Sequence, residues 1–141
     1  MAADYAGDKS PKETWDALAK DPKAQLVDVR SDAEFTWVGV PDLAKLGKKP
    51  VCIPWKFYAP KAAPNEKFVD QVKASLPDTD APIFFICRSG GRSRDAAKAM
   101  TAAGYKRCYN VATGFEGDLD AGKHRGSTGG WRHDGLPWAQ S

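Results

Sequence analysis

One seven-residue segment carries the residue types and spacing of a nucleophilic site. It reads Cys87-Arg88-Ser89-Gly90-Gly91-Arg92-Ser93 and follows the most apolar run of the chain, residues 82–86. A thiol between the end of a buried strand and the start of a helix faces backbone N–H groups that favour an anion. The arginines add positive charge, and the glycines allow close backbone approach. These features together favour the thiolate, which is the nucleophilic form of cysteine.

Two other interpretations compete for this segment. A cysteine that ends a strand is usually an inert core residue, but two arginines and two glycines in the next five positions do not suit core packing. A cysteine-dependent phosphatase also cradles its ligand in a loop ahead of a helix. Such enzymes place five residues between the cysteine and the phosphate-binding arginine, whereas four separate Cys87 from Arg92 and Ser93 stands in the arginine position. The loop is therefore too short for phosphate chemistry.

The surrounding sequence predicts alternating helices and strands that would position the thiol. Ser10 can cap a helix that has Pro11 at its first position, and Glu13 can return a hydrogen bond to the cap. Prolines 50 and 54 favour an edge position for the strand between them. One predicted helix begins at Ser10, a second runs from Asn65 to Leu76, and a third runs from Ser93 to Ala103 and ends before Gly104. The predicted strands cover residues 24–29, 49–53, 82–86 and 108–111. This alternation predicts a three-layer α/β/α fold with a central, mostly parallel sheet.

Length, composition and cysteine content bound the class of protein. The 141 residues fit a single domain, with a core at about 8–118 and a tail at 119–141 that is rich in glycine and tryptophan. A net charge of +3 does not indicate nucleic acid, and no apolar run is long enough to span a membrane. Three cysteines, without a CxxC motif or a secretory signal, indicate free thiols in a reducing cytoplasm and argue against structural zinc.

Several motifs in the expected order resemble those of the rhodanese family. Leu26-Val27-Asp28-Val29-Arg30, followed by Glu34-Phe35, is similar to the L-x-D-x-R…E-[FWY] signature of that family, and residues 87–93 resemble its active-site loop. The resemblance continues through Gly104-Tyr105, Tyr109-Asn110-Val111 and Gly114-Phe115. It covers residues 8–118, and the tail is similar to that of bacterial single-domain thiosulfate sulfurtransferases.

The resemblance implies a role for each residue of the loop. Cys87 would carry a persulfide, while Arg88 and Arg92 would orient an anionic donor such as thiosulfate. Asp28 and Arg30 would form a structural charge pair near the site, and the central sheet would have five strands. No metal or organic cofactor would be needed. The remaining loop residues would complete the substrate-binding ring: Ser89, Gly90, Gly91 and Ser93.

Three functions follow from this resemblance. The first is an enzyme that moves sulfane sulfur from thiosulfate or another persulfide to a thiol or cyanide. The second is a relay module that passes sulfur between proteins, and the third is a non-enzymatic interaction domain, against which the intact Cys87 and its arginines argue. One departure from the family pattern, Gly39-Val40-Pro41-Asp42-Leu43 in place of Gly-His-Ile-Pro-Gly-Ala, alters the wall opposite the loop.

The remaining reactive and aromatic side chains are interpreted as structural or solvated. Core packing is expected for Cys52 and Cys108, and surface exposure for His124, His133 and the charged residues between 118 and 125. The tail leaves the carboxyl end of the last strand, which should lie at the same sheet edge as the Cys87 loop. We therefore expect Trp131 and Trp138 to pin the tail onto the domain, and the tail to form one wall of the site entrance.

Overall fold

The computed structural model describes residues 4–57 and 61–140. The helices are α1 (Pro11–Lys20), α2 (Asp32–Trp37), α3 (Phe68–Ser75) and α4 (Gly91–Ala102), with a short 3₁₀ helix at Ala44–Leu46. The strands are β1 (Gly7–Lys9), β2 (Gln25–Asp28), β3 (Val40–Pro41), β4 (Val51–Cys52), β5 (Lys56–Phe57), β6 (Ala63–Pro64), β7 (Ile83–Ile86), β8 (Cys108–Val111) and β9 (Trp138–Ala139).

A five-stranded sheet with the order β1-β8-β7-β2-β4 forms the centre of the molecule, and all of its pairings are parallel. Side chains of β7 alternate between its two faces, as strand geometry requires. Ile83 and Phe85 pack with residues of α3 and α4, whereas Phe84 and Ile86 pack with residues of α1 and the C-terminal tail. This arrangement confirms the predicted α/β/α architecture and places β7, the strand that ends at Cys87, between two covering layers.

The predicted element boundaries are confirmed at α1 and at the edge strand. The Ser10 hydroxyl accepts a hydrogen bond from the Glu13 amide, and the Glu13 carboxylate accepts one from the Ser10 amide. Strand β4 lies at the edge of the sheet, as its flanking prolines predicted. Helix α4 begins at Gly91, two residues before the predicted start at Ser93, and ends before Gly104, whose φ is +105°.

Two predictions about individual residues were wrong. Asn65 does not cap α3, which begins at Phe68. Instead, its carboxamide accepts from the Lys67 amide and donates to the Pro54 carbonyl, which fixes the preceding turn. Cys52 was expected in the core but is exposed. Side chains alternate along a strand, and the next residue, Ile53, takes the buried position at this edge of the sheet.

The tail packs onto the second face of the sheet. Trp131 is fully buried, stacks edge-on against Trp15 and donates its indole N–H to the Pro137 carbonyl at 2.7 Å. Strand β9 pairs antiparallel with β3, and Trp138 remains 40% exposed. Trp131 therefore anchors the tail by burial, as predicted, while Trp138 holds it through strand pairing at the surface.

Candidate active site

Cys87 follows β7 directly and is 1% exposed. Its Sγ accepts a hydrogen bond from the Gly90 amide at 3.1 Å and lies 3.2 Å from the Ser93 hydroxyl. Gly90 is the N-cap of α4 and Ser93 lies in its first turn, where unpaired amides and the helix dipole favour negative charge. The sulfur thus sits where an anionic sulfur species would be stabilised.

Gly90 makes this turn feasible. Its φ is +107°, and a Cβ at this position would lie 2.2 Å from the Ala112 carbonyl oxygen. Only glycine tolerates both the backbone conformation and the close approach. The segment after β8 therefore packs against the Cys87 loop. Hydrogen bonds from the Phe115 and Glu116 amides to the carbonyls of Cys87 and Arg88 join the two segments.

A chain of polar groups runs from behind the sulfur to the surface. The Ser93 hydroxyl is 2.6 Å from Oδ1 of Asn110, and the Asn110 carboxamide donates to Asp8 at 3.1 Å. Asp8 also accepts from the Tyr5 hydroxyl at 2.8 Å. Ser93 and Asn110 are completely buried. The chain runs from Cys87 through Ser93 on α4 and Asn110 on β8 to Asp8 on the edge strand β1, a connection that the sequence patterns did not predict.

Arg92 is paired with a carboxylate of α2. Its guanidinium contacts both oxygens of Glu34, at 2.7 and 3.0 Å. Burial acts to raise the pKa of Glu34, but the hydrogen bonds from Arg92 and Ser31 outweigh it and hold the pKa at about 2. The pair positions the loop against α2. Donor binding by Arg92 stays a prediction, and Arg88 presents an exposed guanidinium at the rim of the site.

Asp28 and Arg30 form the buried charge pair that the resemblance implied. Arg30 contacts both Asp28 oxygens, the shortest distance being 2.6 Å, and also donates to the Gly39 carbonyl. Its guanidinium lies 4.3 Å from the centre of the Phe115 ring. Burial raises the pKa of Asp28, and the contacts with Arg30 oppose that rise. The pair ties the end of β2 to the segment that follows β8 and does not reach the sulfur.

Two adjoining cavities open onto the loop. The smaller is a bowl of about 250 Å³ lined by Cys87, Arg88, Ser89, Gly91 and Arg92. The larger is a cleft of about 900 Å³ that shares Arg88 and Arg92 with the bowl. Its opposite walls come from α2 and from the tail, which contributes Leu119, Lys123, His124 and Arg125. The tail thus forms one wall of the entrance, in agreement with the sequence-based expectation.

The other two thiols differ from Cys87 in their surroundings. Burial raises the pKa of Cys108 to about 11, in the core position predicted for it. Although Cys52 is an exposed residue, partial desolvation of its thiol and the nearby Asp28 raise its pKa to about 11. Both thiols are therefore protonated near neutral pH, and neither lines the bowl at Cys87.

The sequence did not reveal Glu34, Asn110 or Asp8 as site residues. Glu34 and Asn110 appeared only within family-like motifs. A polar residue inside the short strand Cys108–Val111 is a readable signal, because buried asparagine needs partners, but its partners lie on distant segments. Among the described residues, no cluster of three potential metal ligands occurs, and no helix is both long and apolar enough to cross a bilayer.

Comparison with known proteins assigns the chain to a family. The family model of the STR4 middle domain matches residues 6–141. The chain belongs to the STR4 middle domain family. Its fold is rhodanese-like, since solved rhodanese-like domains share it, among them one from Anabaena.

Several known proteins are similar to this chain over most of its length. The crystal structure of Rv0390 from Mycobacterium tuberculosis is 46% identical, with a TM-score of 0.89 over 97% of this chain and 99% of that one. An uncharacterized protein of Rickettsia conorii, RC0915, is 38% identical over 88% of this chain and 89% of its own. The thiosulfate sulfurtransferase GlpE of Actinobacillus pleuropneumoniae is 25% identical over 91% of this chain and 88% of its own length.

Proposed function

We propose that the protein is a sulfurtransferase that carries sulfane sulfur on Cys87. The observation that carries the proposal is the position of Sγ at the floor of an arginine-rimmed bowl, within hydrogen-bond distance of the Gly90 amide and the Ser93 hydroxyl. The similarity to a thiosulfate sulfurtransferase at 25% identity supports it. The chemistry needs a free thiol, which a reducing compartment such as the cytoplasm would maintain.

The reaction proceeds by two displacements at sulfur. The Cys87 thiolate attacks the outer sulfur of thiosulfate, the S–S bond of the donor breaks, and sulfite leaves with the electron pair. The resulting persulfide is an anion, which the Gly90 amide and the start of α4 stabilise. A thiolate or cyanide then attacks the outer sulfur, and the bond to Sγ breaks to regenerate the Cys87 thiolate. Neither step requires a metal or an organic cofactor.

A small-molecule donor fits this site better than a protein donor. Cys87 lies below the surface, and the tail stands beside the bowl as a wall. A protein partner would have to insert its persulfide past that wall. Protein-to-protein relay is therefore the alternative, and comparing transfer from thiosulfate with transfer from a persulfidated protein would separate the two functions.

The direct test is sulfur loading of the thiol. After incubation with thiosulfate, intact-mass spectrometry should show the addition of one sulfur atom, which cyanide or dithiothreitol removes. Cys87→Ser should abolish both loading and thiosulfate:cyanide sulfurtransfer, because no other thiol lines the bowl. Cys52→Ser is the matched control, since Cys52 is exposed and outside the bowl. Substantial turnover by the Cys87→Ser protein would contradict the proposal.

A further inference from the structure

The cleft beside the bowl is larger than an inorganic donor requires. Thiosulfate has only a few heavy atoms, and the bowl of about 250 Å³ accommodates it. The adjoining cleft of about 900 Å³ is instead within the range of sites for organic ligands, roughly 300–1,000 Å³. Because Arg88 and Arg92 line both cavities, a molecule in the cleft can reach the sulfur.

The lining of the cleft combines cationic and apolar groups. Lys123, His124 and Arg125 line it from the tail, and Arg88 lines it from the loop. Apolar surface comes from Ala33 of α2, from Val38 directly after that helix, and from Leu119, which is 51% exposed. This combination suits an organic molecule that carries carboxylates.

Two acidic groups also line the cleft, and they differ in their partners. Glu34 is occupied by Arg92, so these two charges largely offset each other. Glu116 lines the cleft just before the tail, on the wall that faces Glu34 and α2, and adds a negative charge to that wall. A ligand with an ammonium group as well as carboxylates would therefore match the lining better than a simple dianion.

A tight turn fixes the backbone that carries Lys123 and His124. Asp120 Oδ1 accepts hydrogen bonds from the Gly122 and His124 amides at 2.8 and 2.9 Å, and its other oxygen accepts from Ser127 at 2.6 Å. Lys123 has a φ of +63°, a conformation that non-glycine residues rarely adopt and that costs on the order of 1 kcal/mol. Arg125 is fixed separately by donation to the Gly117 carbonyl at 2.8 Å. The backbone of this wall is thus held by its own hydrogen bonds, and its three cationic residues line the cleft.

We propose that this cleft binds the organic body of an amino-acid-like thiol that accepts the sulfane sulfur from Cys87. The carboxylates of the thiol contact Lys123, Arg125 and Arg88, its ammonium group faces Glu116, and its sulfur enters the bowl. The inference rests on the proposed sulfurtransferase function and names the acceptor class. It also gives the tail a role in specificity.

The transfer step balances without an added oxidant or reductant. The acceptor thiolate attacks the outer sulfur of the Cys87 persulfide and forms a new S–S bond. The bond between that sulfur and Sγ breaks, and its electron pair stays on Cys87 as the thiolate. The product is the persulfide of the acceptor, and total charge and oxidation state are conserved.

Discharge of the loaded protein by matched thiols tests the acceptor class. Glutathione carries two carboxylates and one ammonium group, and its diethyl ester carries the same body with both carboxylates masked. We expect the ratio of their second-order discharge rates to fall about tenfold in Lys123→Glu, because each carboxylate loses an attractive charge. Lys73→Glu, an exposed change in the last turn of α3, makes the same change in net charge and should keep the wild-type ratio. An unchanged ratio in Lys123→Glu, or an equal fall in both variants, would overturn the proposal.

A binding measurement separates failure of this inference from failure of the proposed function. S-methylglutathione cannot react with Cys87, but it should occupy the cleft and slow alkylation of Cys87 by iodoacetamide. We expect protection in the wild-type protein and in Lys73→Glu, and weaker protection in Lys123→Glu, with circular dichroism confirming the fold of each. Protection without sulfur loading would leave the cleft assigned and refute the sulfurtransferase. Sulfur loading without protection would support the sulfurtransferase and refute the acceptor site in the cleft.

Discussion

Ser93 has one hydroxyl proton and two neighbours that can accept it. Oδ1 of Asn110 lies 2.6 Å from the hydroxyl oxygen and Sγ of Cys87 lies 3.2 Å from it. While Asn110 takes the proton, the hydroxyl presents only lone pairs to the sulfur, which suits a thiol. A thiolate or persulfide needs the proton turned towards it. Asn110 therefore competes with the reactive form of Cys87 for a hydrogen bond.

Removing that competition should make Cys87 more reactive. In Asn110→Ala the Ser93 hydroxyl is free to donate to sulfur, so alkylation by iodoacetamide at about pH 6 should accelerate on the order of tenfold, which is the lower end of the contribution of one hydrogen bond to a charged group. Asn110→Asp keeps an acceptor and adds a negative charge, and should slow the reaction. The measurement is the alkylation rate across the pH range, with Ser93→Ala as the control that removes the donor. Identical profiles for all four proteins would show that this chain of groups does not act on the sulfur.

Among the elements, the turn between β7 and α4 depends on one glycine more than on its neighbour. A Cβ on Gly90 would collide with the Ala112 carbonyl, whereas a Cβ on Gly91 meets no atom within 4 Å and lies in the first turn of α4. Of these two adjacent glycines, only Gly90 is required by the backbone conformation and packing of the turn.

Alanine at these two positions should have opposite effects on stability. Gly90→Ala should lower the free energy of unfolding by about 1–3 kcal/mol, because it imposes a strained φ and a steric clash. Gly91→Ala should raise it by about 0.5–1 kcal/mol, because alanine reduces the conformational entropy of the unfolded chain. Urea unfolding measures both. Equal effects of the two changes would mean that the loop is not held against the chain after β8.

The contact between α2 and α4 should depend on pH through Glu34. Its pKa is about 2 in the folded protein and about 4.5 when unfolded, so the stabilisation is fully present above about pH 4.5 and is lost as the pH falls towards 2. Glu34→Gln should lower the free energy of unfolding at neutral pH by about 1–2 kcal/mol, given the partial exposure of the pair. The variant should also lose less stability than wild type between these pH values. Parallel pH–stability curves for the two proteins would contradict this assignment.

The elements also show what local sequence can and cannot predict. Strand β7 and the start of α1 were predictable because an apolar run and a capping box are local signals. Helix α2 carries the same capping signal, Ser31 with Glu34, yet it spans only six residues and was not assigned. Strand β1 is short and polar, and it exists through its pairing with β8 about a hundred residues away. The Glu34–Arg92 contact likewise joins residues 58 positions apart, so no local pattern reveals it.

At the scale of the whole molecule, the tail is part of the core. Trp131 belongs to the apolar cluster that contains Leu26, Phe84 and Phe115, on the face of the sheet also covered by α1. Truncation after Asp120 would remove this buried indole and open a cavity beneath the sheet, so the shortened protein should be strongly destabilised.

The two tail tryptophans should therefore differ in their contribution to stability. Trp131→Ala should lower the free energy of unfolding by about 3–5 kcal/mol, since it removes a fully buried indole. Trp138→Ala should cost about 1 kcal/mol, because Trp138 is 40% exposed and contributes mainly edge contact with Phe115. Urea unfolding monitored by circular dichroism measures both changes. A smaller loss for Trp131→Ala than for Trp138→Ala would show that the tail is not anchored by burial.

The pairing of β3 with β9 has a consequence for the order of events during biosynthesis. Val40 is adjacent to Ala139, and Trp131 fills a space against residues near the beginning of the chain, including Trp15. A ribosome adds about 5–20 residues per second. Several seconds therefore pass between the synthesis of the early strands and helices and the synthesis of Trp131 and β9. The apolar face of the sheet that Trp131 covers stays open to chaperones throughout that interval. The domain closes only after its last segment has left the exit tunnel.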